Sequence, residues 1–203
     1  MIGPHDPDGP EIATAPVAPQ ASPWNVPNAL TVLRILLVPL FGWLLLTQGG
    51  ESTTMRWWAL VVFLVAIATD WVDGHLARKQ GLITNFGKLM DPIADKALVG
   101  TALIGLSLIG ALPWWVSIVI LVREIGITLM RFVVIRRGVI PASKGGKLKT
   151  VLQAVGLSLV MAPIGGWLGE LGLWVMYVAV VVTVHTGIDY VRQAFGPRPP
   201  ARV

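Results

Sequence analysis

The chain has 203 residues, of which 54% are hydrophobic and only 13% are charged. Soluble domains carry roughly a quarter charged residues, so this composition excludes an ordinary soluble fold and indicates a membrane protein of one domain. The absence of cysteine excludes disulfides and thiolate metal sites. The net charge of +5 favours anionic lipid headgroups and phosphorylated substrates as partners, and we expect no nucleic-acid binding because the basic residues lie beside hydrophobic segments.

The two ends of the chain differ in composition from the rest. Residues 1–22 are rich in proline, alanine and glycine and contain no lysine or arginine. This predicts a disordered tail, and the tail lacks the positive start and apolar run of a signal peptide. We expect one helical domain over residues 23–195 and a second tail over residues 196–203.

Six apolar segments follow the first tail, and each is close to the length that crosses roughly 30 Å of hydrocarbon. Because unpaired backbone groups are costly in lipid, we predict an all-α fold of six transmembrane helices. The third and fourth segments are separated only by a tight turn at residues 110–113, and the fifth ends at a turn over residues 163–166. The predicted spans are residues 29–47, 57–79, 92–110, 114–136, 150–165 and 167–191.

Charged and aromatic residues predict the orientation of these spans. Basic residues are concentrated in the 2–3 and 4–5 connections and in the C-terminal tail, whereas the loops on the opposite side contain Arg56 alone. By the positive-inside rule the basic side is cytoplasmic, and both termini lie there. The outer interface then carries a belt of tryptophans that open the second, fourth and sixth segments, namely Trp57, Trp58, Trp114, Trp115 and Trp167.

Four carboxylates lie near the cytoplasmic ends of the second and third segments. Asp70 and Asp73 are three residues apart and Asp91 and Asp95 are four apart, so each pair shares one helix face. Counting 1.5 Å per residue from Trp57 puts Asp70 roughly 20 Å and Asp73 roughly 24 Å from the outer surface. Since the other two open the next helix from the cytoplasmic side, we expect all four to meet at one depth.

Four acids at that depth would repel one another and be costly to ionise. Two divalent cations would neutralise them, and oxygen ligands suit Mg²⁺ or Mn²⁺. Two such ions can promote in-line displacement at phosphorus. The neighbouring Gly74 and Gly87 would let a ligand approach the backbone, and Arg78 would place a fixed charge beside a phosphate. From spacing alone a proton relay or ion pathway is the alternative, although transport needs neither the glycines nor the arginine.

The pattern Asp-x2-Asp-Gly-x2-Ala-Arg-x8-Gly-x3-Asp-x3-Asp, from Asp70 to Asp95, resembles the signature of the CDP-alcohol phosphatidyltransferase family at all eight fixed positions. The resemblance extends over residues 24–195 and implies six transmembrane helices, a homodimer and a dinuclear metal site that faces the cytoplasm. It implies that Asp70, Asp73, Asp91 and Asp95 bind two Mg²⁺ or Mn²⁺ ions, and that Asp95 is also the general base on the acceptor hydroxyl. It further implies contacts with CDP-diacylglycerol from Asn28, Ala29, Leu30, Thr31, Gly74, Arg78 and Thr84.

Other segments bear on the acceptor alcohol. Residues 26–34, 90–96, 123–124 and 142–150 resemble the bacterial branch of this family that makes phosphatidylglycerophosphate from sn-glycerol 3-phosphate, which implies a bacterial cytoplasmic (inner) membrane protein. Siblings that use inositol phosphate, or phosphatidylglycerol to make cardiolipin, are the alternatives. Independently of the resemblance, four cations near the cytoplasmic boundary would suit an acceptor that carries a phosphate, namely Arg131, Lys147, Lys149 and Arg192.

Further polar residues lie inside the predicted helices. Glu124 lies near mid-bilayer beside Arg123, where charges need partners. Because Glu124 is at roughly the depth of Arg34, we predict a structural ion pair between these two residues, with substrate contact as the second interpretation. His185 lies four residues before Asp189, and we predict an interhelical hydrogen bond for this histidine and not a catalytic pair.

Overall fold

The computed structural model describes residues 26–80, 85–134 and 144–195, and these ranges form α-helices joined by short turns, with no strand among them. The all-α prediction is confirmed for these ranges, and each predicted apolar segment corresponds to one helix. The predicted tails, residues 1–22 and 196–203, lie outside the described residues, as does Thr84. The helices are α1 (Val26–Leu46), α2 (Thr53–Gln80), α3 (Asn85–Leu108), α4 (Trp114–Val134), α5 (Lys144–Met161) and α6 (Trp167–Phe195), with a 3₁₀ turn (Thr47–Gly50) after α1.

Three stretches of the described chain are long and apolar enough to cross a membrane. They are Asn28–Gly50, Thr53–Gly74 and Trp167–Arg192, with mean hydropathies of 2.2, 1.5 and 1.9. At most 33% of the most apolar part of each stretch is buried inside the protein, so the rest is at least partly exposed at the surface, where lipid can contact it. The protein is therefore a multi-pass membrane protein. The other three helices, α3, α4 and α5, each carry three or more charged residues and are not among these stretches. A total of six transmembrane spans therefore stays a prediction.

The helices pack in two groups, which are connected by contacts of α4 with α3 and of α5 with α2 and α3. α1 packs against α2 and α3, α5 packs mainly against α6, and α4 packs against α6 and α3. Within the described ranges α1 and α4 do not contact each other. Fully buried side chains fill the interior, and the rings of Phe41 in α1 and Phe63 in α2 lie 5.5 Å apart. This contact fixes α1 against α2 one to two turns from the polar residues described below.

The turn predicted between the third and fourth segments is confirmed. The N–H of Ala111 donates to the carbonyl of Leu106 at 2.9 Å, and the N–H of Gly110 donates to the carbonyl of Ser107 at 3.2 Å. These two bonds form a Schellman motif, which requires a left-handed residue at its centre. Gly110 has φ +72°, a conformation that glycine adopts without steric cost. The motif ends α3 and lets α4 return antiparallel to it.

The end of the bundle that carries this turn also carries the tryptophans at the starts of α2, α4 and α6. All five are between 42% and 71% exposed, as expected of residues that sit in a headgroup layer. The lone basic residue at this end has a structural partner. Arg56 donates from Nε to the carbonyl of Met161 at 3.1 Å and from Nη2 to the carbonyl of Val160 at 2.8 Å. It therefore caps the last turn of α5.

Close packing of α5 on α6 predicts a stability difference between two helical glycines. A Cβ at Gly172 would lie 2.8 Å from the backbone nitrogen of Val160, so Gly172→Ala should destabilise the protein by about 1–3 kcal/mol, as over-packing does. A Cβ at Gly126 in α4 meets nothing within 4 Å, so Gly126→Ala should be neutral or stabilising. Thermal unfolding in detergent measures both variants. Equal loss of stability in both would contradict this packing.

Candidate active site

A buried polar face runs along the N-terminal half of α1. Asn28, Thr31 and Arg34 are spaced three residues apart, so they lie on one side of the helix. Their exposed fractions are 5%, 1% and 0%, although the rest of α1 is almost entirely apolar. An arginine is almost never fully buried without a partner. The three polar positions therefore mark where α1 meets charged or polar groups of other helices.

Arg34 binds both acids of α2. Its Nη1 lies 2.5 Å from Oδ1 of Asp70, and its Nη2 pairs with Oδ2 of Asp73. Asp73 is buried, whereas the side chain of Asp70 is 47% exposed. The predicted common face of the two aspartates is what allows a single guanidinium fork to reach both carboxylates.

The same face of α1 also reaches α3. Thr31 donates its hydroxyl to Oδ1 of Asp91 at 2.6 Å. Asp73 interacts electrostatically with Asp70 and Asp91, and Asp95, one turn further along α3, interacts with Asp70. Three of the four carboxylates of α2 and α3 thus contact the polar face of α1, and the fourth, Asp95, interacts with one of them.

A cavity of about 340 Å³ lies beside these carboxylates. Asp70, Asp95 and Arg34 line one side of it, and Glu124 and Lys149 line another, while much of the remaining wall is apolar. A pocket of this kind, with a few charged groups on an apolar lining, is typical of a site that binds a small molecule. The cavity thus brings together one acid of α2 (Asp70), one acid of α3 (Asp95) and a lysine of α5 (Lys149).

The predicted ion pair between Arg34 and Glu124 is wrong. Glu124 Oε1 instead accepts from Lys149 Nζ and from Arg123 Nη1, the latter at 3.1 Å. Arg123 Nη2 also donates to the hydroxyl of Thr186 at 3.1 Å, which links α4 to α6. The reason is lateral position: α4 packs against α3 and α6, and in the described ranges it does not touch α1. Equal depth does not make two residues neighbours.

The structure does not bring all the cations predicted for the acceptor phosphate to one place. Lys149 is 7% exposed and lines the cavity beside the acids. Lys147 is exposed, and Arg192, also exposed, lines a different, apolar groove of about 430 Å³ between α4 and α6, together with Arg123. Arg131 lies in the last turn of α4, and its side chain is outside the described part of the structure.

The residues predicted to contact CDP-diacylglycerol fall into three groups. Asn28 and Thr31 are buried on the polar face of α1, and the structure pairs Thr31 with Asp91. Gly74 is half-buried, directly after Asp73. Ala29 is exposed and Leu30 half-buried on other sides of the helix, while the side chain of Arg78 and all of Thr84 lie outside the described residues.

His185 and Asp189 are paired within one helix. Nδ1 of His185 lies 3.3 Å from Oδ2 of Asp189, one turn along α6, and their side chains are 75% and 46% exposed. The prediction of an interhelical hydrogen bond for His185 is therefore wrong. Because the two residues point away from the helical interior, the pair belongs to the surface of α6.

Polar spacing in α1 was the signal that could have identified the partner of the α2 acids. Thr31 and Arg34 continue the three-residue spacing of Asn28 through an apolar helix, and such a stripe needs a polar counterpart. The carboxylates that Arg34 reaches are those of the neighbouring α2, Asp70 and Asp73, and not Glu124 at the same depth.

The carboxylate cluster has the chemistry that Mg²⁺ or Mn²⁺ requires. Its donors are all oxygens on two neighbouring helices, and Arg34 supplies one positive charge against the two carboxylates that it binds, so the cluster retains an excess of negative charge. Among the described residues, no three acidic or histidine side chains lie close enough to hold one ion. The residues therefore fit divalent cations in chemistry and charge. Three of the carboxylates also contact α1.

Comparison with known proteins identifies the family. Residues 24–185 match the model of the CDP-alcohol phosphatidyltransferase family. The chain is 50% identical over 181 residues to a probable phosphatidylglycerophosphate synthase of Mycobacterium tuberculosis, covering 89% of this chain and 87% of that protein. It is 39% identical over 183 residues to the CDP-diacylglycerol--glycerol-3-phosphate 3-phosphatidyltransferase of Bacillus subtilis, covering 82% and 93%, and 33% identical over 177 residues to that of Shigella flexneri, covering 84% and 95%. The resemblance noted in the sequence is confirmed: the chain belongs to the CDP-alcohol phosphatidyltransferase family.

Proposed function

We propose that the protein is a phosphatidylglycerophosphate synthase, which transfers the phosphatidyl group of CDP-diacylglycerol to sn-glycerol 3-phosphate and releases CMP. The observation that carries this proposal is that Asp70, Asp95 and Lys149 line one cavity, while Arg34 and Thr31 hold the motif's acids Asp70, Asp73 and Asp91 beside it. The choice of acceptor is supported by the names of relatives that are 50% and 39% identical to this chain. Membership of an enzyme family sets the ion-pathway alternative aside.

The reaction is a displacement at the phosphorus that carries the diacylglycerol. The acceptor oxygen forms a new bond to that phosphorus, the bond to the bridging oxygen of the diphosphate breaks, and CMP leaves with the electron pair. Asp95, which lines the cavity, takes the proton of the acceptor hydroxyl as general base. Asp70, Asp73, Asp91 and Asp95 would hold two Mg²⁺ or Mn²⁺ ions. When bound, these ions would neutralise charge that develops on the diphosphate.

Basic side chains would recognise the phosphate of the acceptor. Lys149 lines the cavity and pairs with Glu124, which also pairs with Arg123. A buried lysine held in this way is an ammonium group close to the reacting centre, where a phosphate can approach it. Lys147, two residues before the cavity-lining Lys149, would with Arg131 and Arg192 add positive charge at the cytoplasmic end of the bundle.

The arrangement in the membrane belongs to the same proposal. All six helices would span a bacterial cytoplasmic membrane, with both termini and the active site on the cytoplasmic side. The distribution of basic residues and the exposed tryptophans at the opposite end of the bundle support this orientation. A homodimer follows from the family resemblance.

An acceptor panel tests the proposed reaction. Purified protein with CDP-diacylglycerol and Mg²⁺ or Mn²⁺ should release CMP rapidly with sn-glycerol 3-phosphate and slowly or not at all with inositol phosphate, phosphatidylglycerol, free inositol or serine. The lipid product should be phosphatidylglycerophosphate, identified by mass spectrometry. Faster turnover with inositol phosphate or phosphatidylglycerol would replace the proposed acceptor with one of the alternatives.

Substitution of two acids should separate proton transfer from metal binding. Asp95→Asn keeps an oxygen ligand of the same shape, so CMP release should fall about 10²–10⁴-fold while metal binding largely survives. Asp70→Asn should instead weaken metal binding, and added Mg²⁺ or Mn²⁺ should partly restore its activity. Turnover and metal affinity are measured for both variants side by side. Near-normal turnover of Asp95→Asn, or a loss that extra metal repairs, would assign the base elsewhere.

Neutralising the basic residues should change the kinetics of one substrate only. Lys147→Gln and Arg131→Gln should each raise the KM for sn-glycerol 3-phosphate and leave the KM for CDP-diacylglycerol nearly unchanged, because each removes a positive charge that is proposed to attract the acceptor phosphate. Steady-state kinetics with each substrate varied in turn provides the measurement. Equal increases in both KM values would show that these residues serve general positioning or folding.

A further inference from the structure

α1 carries no acidic residue, yet it contacts three of the four carboxylates. Thr31 of α1 donates to Asp91 on α3, and Arg34, one turn further, binds Asp70 and Asp73 on α2. Both side chains are almost completely buried, at 1% and 0% exposed. Their polar groups therefore interact with the protein and not with solvent.

We propose that Thr31 and Arg34 are positioning residues that set the geometry of the carboxylates for metal binding. The inference rests on the proposed metal site and deepens it. A carboxylate has two oxygens, and each contact with α1 occupies a single one: Oδ1 of Asp91, Oδ1 of Asp70 and Oδ2 of Asp73. These contacts fix the orientation of each carboxylate relative to the helix that carries it, and so determine how its oxygens are presented to a cation.

Packing explains why α1 performs this role. α2 and α3 contact each other far less than each contacts α1. Their carboxylates repel one another, so an acid cluster shared by two weakly packed helices would spread apart. α1 is anchored between them, with Phe41 packed against Phe63 of α2 and with Leu45 fully buried. Its donors can therefore hold acids from two helices at a fixed separation.

The expected loss of metal affinity can be estimated from other metal sites. Groups that hydrogen-bond to ligating carboxylates orient them, and loss of such a group typically weakens metal binding about 10–100-fold. Thr31→Val removes only the hydroxyl and keeps the buried volume. Arg34→Lys keeps the positive charge but loses the fork that spans two carboxylates. Either change should loosen the acids without removing a ligand.

A direct alternative exists for Thr31, because the family resemblance implies that it contacts the nucleotide end of CDP-diacylglycerol. A nucleotide contact would change the KM for the CDP-lipid and leave metal binding in its absence untouched. A positioning role changes metal affinity when no lipid substrate is present. The two roles therefore predict different results for the same variant.

The test measures the affinity of the purified protein for Mn²⁺ in detergent without CDP-diacylglycerol, by titration calorimetry. Thr31→Val and Arg34→Lys should each bind Mn²⁺ about 10–100-fold more weakly than the unsubstituted protein. The matched control is Thr47→Val in the 3₁₀ turn that follows α1, where the hydroxyl donates to the carbonyl of Trp43 at 2.7 Å, away from the acids. Its affinity should be unchanged.

Three outcomes are distinct. Weaker binding in Thr31→Val and Arg34→Lys but not in Thr47→Val supports the inference. Unchanged affinity in both site variants overturns it and leaves the metal site intact. Absence of Mn²⁺ binding to the unsubstituted protein overturns the metal site and this inference together. Thermal unfolding without metal accompanies each titration, so that a loss of folded protein is not counted as a loss of affinity.

Discussion

The burial of the Arg34 guanidinium between Asp70 and Asp73 is the constraint on which the rest of the structure depends. A charge is costly in an apolar interior unless it is paired, so α1 and α2 can associate only in the register that makes this contact. The same register brings Thr31 to Asp91 and fixes α3. One buried cation thereby aligns three helices and collects the acidic residues at one level.

A second polar cluster performs the same function on the other side of the cavity. Arg123 and Lys149 each pair with Glu124, and Thr186 accepts from Arg123, so that α4, α5 and α6 are joined by polar contacts. Away from these clusters the helices are held together by apolar packing. Charged groups thus join the helices of the bundle and also line the cavity that we propose as the active site.

The helices, the turn at residues 110–113 and the family were predictable from the sequence because each depends on a local signal: apolar length, a glycine with positive φ, and a motif of fixed spacing. The partners of Arg34, Glu124 and His185 were not. Counting residues gives the depth of a side chain but not its angle around the bundle, and ion pairs depend on both. Glu124 binds Lys149 because α4 and α5 approach the same cavity, which no spacing within one helix reveals.

The central claim is that this acid cluster, held by α1, binds the metal ions that promote phosphatidyl transfer. The most direct measurement is X-ray diffraction from crystals grown with Mn²⁺, using the anomalous signal of the metal. The account predicts two anomalous peaks between α2 and α3, within ligand distance of Asp70, Asp73, Asp91 and Asp95. No peak at these carboxylates, in a protein that releases CMP in excess chelator, would contradict it.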